Sequence, residues 1–142
     1  MTCSTETARA EMFAAVVTGL AGIQGITMKW QGKDSNDPPV NQSPYIFASI
    51  NTANEAQSSL ANAFSKMRWK SEGTLMVQCF APLNKGSIDA AMGMALALKR
   101  HFRKLSTPGG VWFRNVSAKE GGASAAWYQV NFKATFSFDE LQ

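Results

Sequence analysis

The chain has 142 residues, 45% of them hydrophobic and 17% charged, a length and balance that fit one globular domain, residues 1–142, and exclude a disordered acidic tail. Fourteen Lys and Arg against ten Asp and Glu leave a formal charge of +4, mildly basic and well short of a DNA-packing protein. Two cysteines without CxxC spacing and a single histidine, His101, argue against a zinc site, a disulfide scaffold and most histidine-dependent catalysis.

Ser4 or Thr5 is suited to cap a first helix, with Glu6 facing the positive end of its dipole. Phe13, Val16, Val17 and Leu20 follow at helical spacing, and Gly19 and Gly22 supply stop signals. The apolar run Met12–Leu20 is too short for a membrane span and lacks the basic leader of a signal peptide. Without export, Cys3 and Cys79 are expected to stay thiols. Ile26–Gln31 alternates apolar and polar, as in a strand with one buried face. A polar loop then spans Gly32–Pro44, in which Asp34-Ser35-Asn36-Asp37 reads as turn chemistry. That run lacks the glycine and terminal glutamate of a calcium loop.

Tyr45–Asn51 is predicted as a second strand and Met67–Phe80 as a third, with a bulge or bend at Glu72-Gly73. Cys79 alternates with Leu75 and Val77, so it reads as a small core residue. Between the strands, Thr52–Lys66 reads as a long loop in which Leu60, Phe64 and Met67 recur on one face of a short helix. They serve either as local core or as apolar groups awaiting a partner. Ser87 caps a second helix with the stripe Ile88, Ala91, Met92, Ala95, Leu98, Phe102 and Leu105. Four cations, Lys99, Arg100, Arg103 and Lys104, gather at its end and form a candidate basic surface. His101 among them reads as a solvated helix-end residue. Pro108-Gly109-Gly110 breaks the chain, and strands are predicted at Val111–Lys119 and Ala126–Phe138, joined by a turn at Glu120–Ser124. In the last strand Tyr128, Val130, Phe132, Ala134, Phe136 and Phe138 share one face.

The order helix, strand, hairpin, helix, hairpin predicts an α+β domain, a mostly antiparallel sheet covered on one face by two amphipathic helices. No P-loop, GxGxxG or GxSxG pattern occurs, and no nucleophile, base and orienter come together. No catalytic residue, cofactor or metal ligand is therefore expected. Tyr128, Phe132 and Phe136 could serve as stacking platforms in a sequence-unspecific nucleic-acid-binding module. They share their face with Val130 and Ala134, which is how a covered core face looks.

Three blocks carry a family resemblance: Trp69-Lys70-Ser71-Glu72-Gly73-Thr74-Leu75-Met76-Val77-Gln78-Cys79-Phe80-Ala81-Pro82; Gly109-Gly110-Val111-Trp112-Phe113-Arg114-Asn115-Val116; and Ala126-Trp127-Tyr128-Gln129-Val130-Asn131-Phe132, ending Phe136-Ser137-Phe138-Asp139-Glu140. In this order they resemble the tail terminator (tail completion) proteins of long-tailed bacteriophages over residues 45–140. The segment Ala53–Lys66 departs from that pattern, being richer in alanine and less basic. The resemblance implies a structural virion protein of the tail or neck, made in the bacterial host cytoplasm. It implies a hexameric ring that caps the tail tube, stops its polymerisation and joins it to the head connector. The implied partners are other copies, the tail tube protein, the connector or neck proteins, and genomic DNA passing through the lumen without specific binding; no membrane is implied. A neighbouring head-completion role is the alternative within the same assembly. Leu60, Phe64, Met67 and Trp69 are the residues expected at the assembly interface.

Overall fold

Burial in every second residue of a strand, on both sides of a hairpin, is the pattern that organises this chain. The computed structural model describes residues 2–35, 37–39, 43–57, 68–83, 87–124 and 126–141. The elements are α1 (Thr5–Gly19), β1 (Thr27–Trp30), β2 (Tyr45–Gln57), β3 (Arg68–Pro82), α2 (Ser87–Phe102), β4 (Trp112–Ser124) and β5 (Trp127–Leu141). They form an α+β fold with one five-stranded sheet in the order β1-β2-β3-β5-β4. β1 runs parallel to β2. The other pairs are antiparallel, so the sheet is mixed but mostly antiparallel.

Ser4 caps α1 as expected, its hydroxyl accepting from the Thr7 N–H at 3.1 Å. The buried face of α1 is Ala8, Met12 and Val16, followed by buried Leu20. Val17, expected inside, is 45% exposed. Spacing by four residues from Ala8 to Leu20 carries the core line, and Val17 falls one residue past it. Phe13 lies at the flank of the core, its ring 5.0 Å from Trp30 of β1. In α2 the buried residues are Ala91, Met94, Ala95, Leu98 and Phe102. Of the predicted stripe, Ile88 is 52% exposed and Met92 half-buried, while Met94, outside that stripe, is buried instead. α2 packs on β3, β4 and β5, and α1 packs on α2. His101 is half-buried where the helices meet, against Gly19, and is not the solvated residue expected.

Leu75, Val77, Cys79 and Ala81 of β3 face the core beside Val130, Phe132, Ala134 and Phe136 of β5. The alternation read from β5 holds across the strand. β1 is shorter than expected and shows no fully buried face; all four residues are half-buried, as befits an edge strand. The largest departures concern length. β2 continues to Gln57 rather than ending at Asn51, so the first part of the expected long loop is strand. β4 continues to Ser124, so Glu120–Ser124 is strand and not a turn, with an irregularity in register at Gly121. The bulge lies opposite the place predicted for it. Glu72 and Gly73 stay in register with β5, while Ala53 of β2 is the extra residue between Thr52 and Asn54. Gly73 is needed for a different reason. A Cβ there would press on the Asn51 carbonyl oxygen and the Phe136 ring.

A second tie joins distant parts of the chain. The turn at Pro108-Gly109-Gly110 presents the Gly109 N–H to both oxygens of Glu11 in α1, at 2.7 and 2.9 Å. A charge-assisted bond of this kind is worth more than a neutral one.

The close approach at Gly73 has a measurable consequence. Gly73→Ala is expected to lower the unfolding free energy by about 1–3 kcal/mol in urea titration, the usual cost of overpacking. An unchanged midpoint would mean that the β2–β3 bulge absorbs the added methyl.

Candidate assembly arm

β1 pairs only with Tyr45–Ala48, and β4 reaches β5 no farther than Ser137. Asn51–Asn54 of β2 already lies past β1, and beyond both limits three strands continue together: Glu55–Gln57 of β2, Arg68–Ser71 of β3 and Phe138–Leu141 of β5. This extension is an arm. All seven residues from Asn51 to Gln57 are exposed, although most pair in register with β3. At the far margin of β5 the Cys3 N–H donates to the Asp139 carbonyl at 2.9 Å, and the Thr5 hydroxyl donates to Glu140 at 3.0 Å. The N-terminal segment thus occupies the place that β4 holds lower down.

The two faces of the arm differ in chemistry. On the face continuous with the core lie Glu55, Trp69, Ser71 and Glu140, which line a small cleft of about 120 Å³. The Ser71 hydroxyl reaches Glu55 at 3.4 Å, and among the described residues no cation pairs with Glu55 or Glu140. On the open face Trp112 is 42% exposed. The Lys70 ammonium lies 5.6 Å from its ring centre and the Arg114 guanidinium 5.7 Å, both within cation–π range. Glu72 bridges the two cations, at 3.1 Å to Lys70 and 3.4 Å to Arg114. Its carboxyl is held below the ordinary glutamate value, first by the bond from Lys70. Beneath this cluster Ser137 is buried; it lies near Glu72 without a hydrogen bond of standard geometry.

The open face as a whole is basic. The register places Lys29, Arg68, Lys70, Arg114, Lys119 and Lys133 there, against Glu72 and Asp139. At its other end Tyr45 stacks on Phe80 with ring centres 4.5 Å apart and meets Trp127 edge-on at 5.1 Å. Burial, and then Asp37, pushes the Tyr45 hydroxyl pKa up.

Of the expected interface residues, Leu60, Phe64 and Met67 lie outside the described residues. Trp69 is half-buried on the core-side face of the arm. Lys99, Arg100, Arg103 and Lys104 do gather at the end of α2, Lys99 half-buried and the other three exposed. They sit apart from the basic open face, which sequence reasoning missed. Trp112 points outward because it pairs with Ser137, on the open side of β5. A further depression of about 350 Å³ lies between α1 and β1, lined by Glu6, Arg9, Ala10, Phe13, Trp30, Gln31 and Lys33. Its best donor is already engaged, Arg9 bonding the Gln31 side chain at 3.0 Å. Among the described residues no three His, Cys, Asp or Glu side chains group as metal ligands. No helix among them is long and apolar enough to cross a membrane.

One of 26 matching chains of solved structures superposes with a TM-score of 0.68, covering 95% of this chain and 95% of that one at 19% sequence identity. At that identity the likeness speaks for the fold alone. No family model matches the sequence. No curated protein matches it either.

Two outcomes follow from the side-chain environments. Because Glu72 is held ionised in the folded chain, its contribution to stability is present above the unfolded-state pKa and fades as pH falls through the lower folded value. Carboxyl-carbon NMR of Lys70→Ala should show Glu72 titrating closer to ordinary glutamate; no movement would remove Lys70 as the main cause. Burial pushes the Cys79 thiol up to about 12, whereas half-buried Cys3 is raised by partial burial and by Glu11 and Glu140. Labelling of the native protein at pH 8 should therefore modify Cys3 slowly and leave Cys79 untouched until denaturant is added. Rapid modification of Cys79 would contradict the packing.

Proposed function

We propose that this chain is a structural virion protein of the tail terminator kind, acting by shape and adhesion rather than by turnover. Copies of it close into a ring, hexameric by the resemblance, that seats on the end of a tail tube and halts its growth. The ring's other surface joins the head connector, and genomic DNA passes through the lumen without specific binding. In this reading the helices cover the core face of the sheet and leave the open face and the arm for partners. The chain works in the tail or neck of the particle after synthesis in the host cytoplasm, with no cofactor and no membrane.

The observation that carries this reading is the arm, a hydrogen-bonded three-stranded extension with exposed residues along β2, Trp69 on its core-side face and Trp112 of β4 at its margin on the open face. Large flat surfaces anchored by Trp and Arg suit protein contacts better than small-molecule chemistry. A head-to-tail contact repeated around an axis closes a ring, and such a ring presents different surfaces above and below. That asymmetry lets a cap bind the last tube ring without offering a copy of the surface it has covered.

Adding purified protein to growing tail tubes tests this. Tubes should stop at shorter lengths in proportion to the protein added, with extra density at one end in electron micrographs. Tube lengths that do not respond to the protein would overturn the reading.

A further inference from the structure

The arm carries opposite charge on its two faces. Its core-side cleft holds two carboxylates, Glu55 and Glu140, beside Trp69, with no cation paired to either among the described residues. Its open face holds Lys70 and Arg114 around Trp112, with Arg68 on the same face. Glu72 and Asp139 offset part of that charge and leave it net positive. A cleft of about 120 Å³ with a tryptophan wall and two carboxylates suits an ammonium or guanidinium head, which gains both charge pairing and cation–π contact. Such heads stand on the opposite face of the sheet, Lys70 on β3 of the arm and Arg114 on the adjoining β4.

We propose that the arm is a head-to-tail joint between copies of this chain, in which Lys70 and Arg114 around Trp112 of one copy dock on the Glu55–Trp69–Glu140 cleft of the next. The inference rests on the ring reading and supplies its contact. Because the two docking faces differ, the contact is heterologous. It cannot close as a twofold dimer and must propagate until a ring closes or a filament forms. Like faces repel, so the same charges that join copies in one orientation oppose the reverse one. The edges of the sheet favour this route. β1 offers only four residues, β4 is broken by irregularities at Asn115-Val116 and Gly121, and the outer edge of β2 beyond Ala48 is interrupted by the bulge at Ala53, so each edge discourages edge-to-edge pairing.

The test is a complementary charge exchange read by sedimentation velocity at rising concentration. Lys70→Glu with Arg114→Glu makes both faces acidic, and Glu55→Lys with Glu140→Lys makes both basic. Each double variant alone is expected to self-associate about tenfold or more weakly than the unaltered chain. An equimolar mixture should recover assembly, since alternating copies restore every contact in a ring of even number. Circular dichroism verifies that each variant is folded. A photo-crosslinking residue at Ala56, on the open face of the arm and outside the charged set, provides a second readout in the otherwise unaltered chain. It should join to a peptide of another copy containing Glu55, Trp69 or Glu140. Unweakened assembly of the single variants, failure of the mixture to recover, or cross-links mapping elsewhere would overturn the joint. A chain that stays monomeric at millimolar concentration would overturn it too. None of these results touches tube capping, which its own assay decides.

Discussion

The pairing of β3 on both sides along its whole length is the constraint on which the rest depends. From Trp69 to Phe80 it is flanked by β2 and β5 together. Its upper half buries Leu75, Val77 and Cys79 in the core, with burial of the Leu and Val side chains worth on the order of 1.5–3 kcal/mol each. Its lower half buries little beyond Ser71 and Gly73. That half is an arm because the ladder begun in the core does not stop where the core stops. Gly73 stands at the junction, where the Asn51 backbone and the Phe136 ring leave no room for a side chain.

From this follows the division of labour between the faces. The core face is spent on Phe132, Phe136, Leu98, Phe102 and their neighbours, and it becomes available again only past Ser71, where Glu55, Trp69 and Glu140 open a cleft. The open face collects six cations from three strands, β3, β4 and β5, and the edge strand β1.

Much of this architecture was legible from residue order, and the reasons for the exceptions are physical. The strict alternation from Tyr128 to Phe138 reported β5 and its buried face, because one-sided burial imposes a period of two. Asn51–Gln57 gave no such sign; Asn-Thr-Ala-Asn-Glu-Ala-Gln is poor in the branched and aromatic residues that mark strands, and its pairing is imposed by β3. The bulge was placed on the wrong strand since Glu-Gly signals irregularity, while register decides which partner yields. Of the candidate arm's surroundings, the sequence singles out Trp69, whereas Trp112 and the basic open face emerge only from the strand register. A surface assembled from Lys29, Lys70, Arg114 and Lys133 has no local signature, since it exists only once the strands are in register. The cations near the end of α2 are visible because four of them fall within the six residues 99–104, a clustering that the negative end of a helix dipole favours.

The central claim is that this chain is an end-piece of a tail, and imaging the assembled particle tests it most directly. A reconstruction of the tail and neck at side-chain detail should place this fold as a single closed ring at the connector-facing end of the tube, with arms bridging neighbouring copies. Density for this fold repeated along the tube, located inside the head, or missing from the particle would contradict the account.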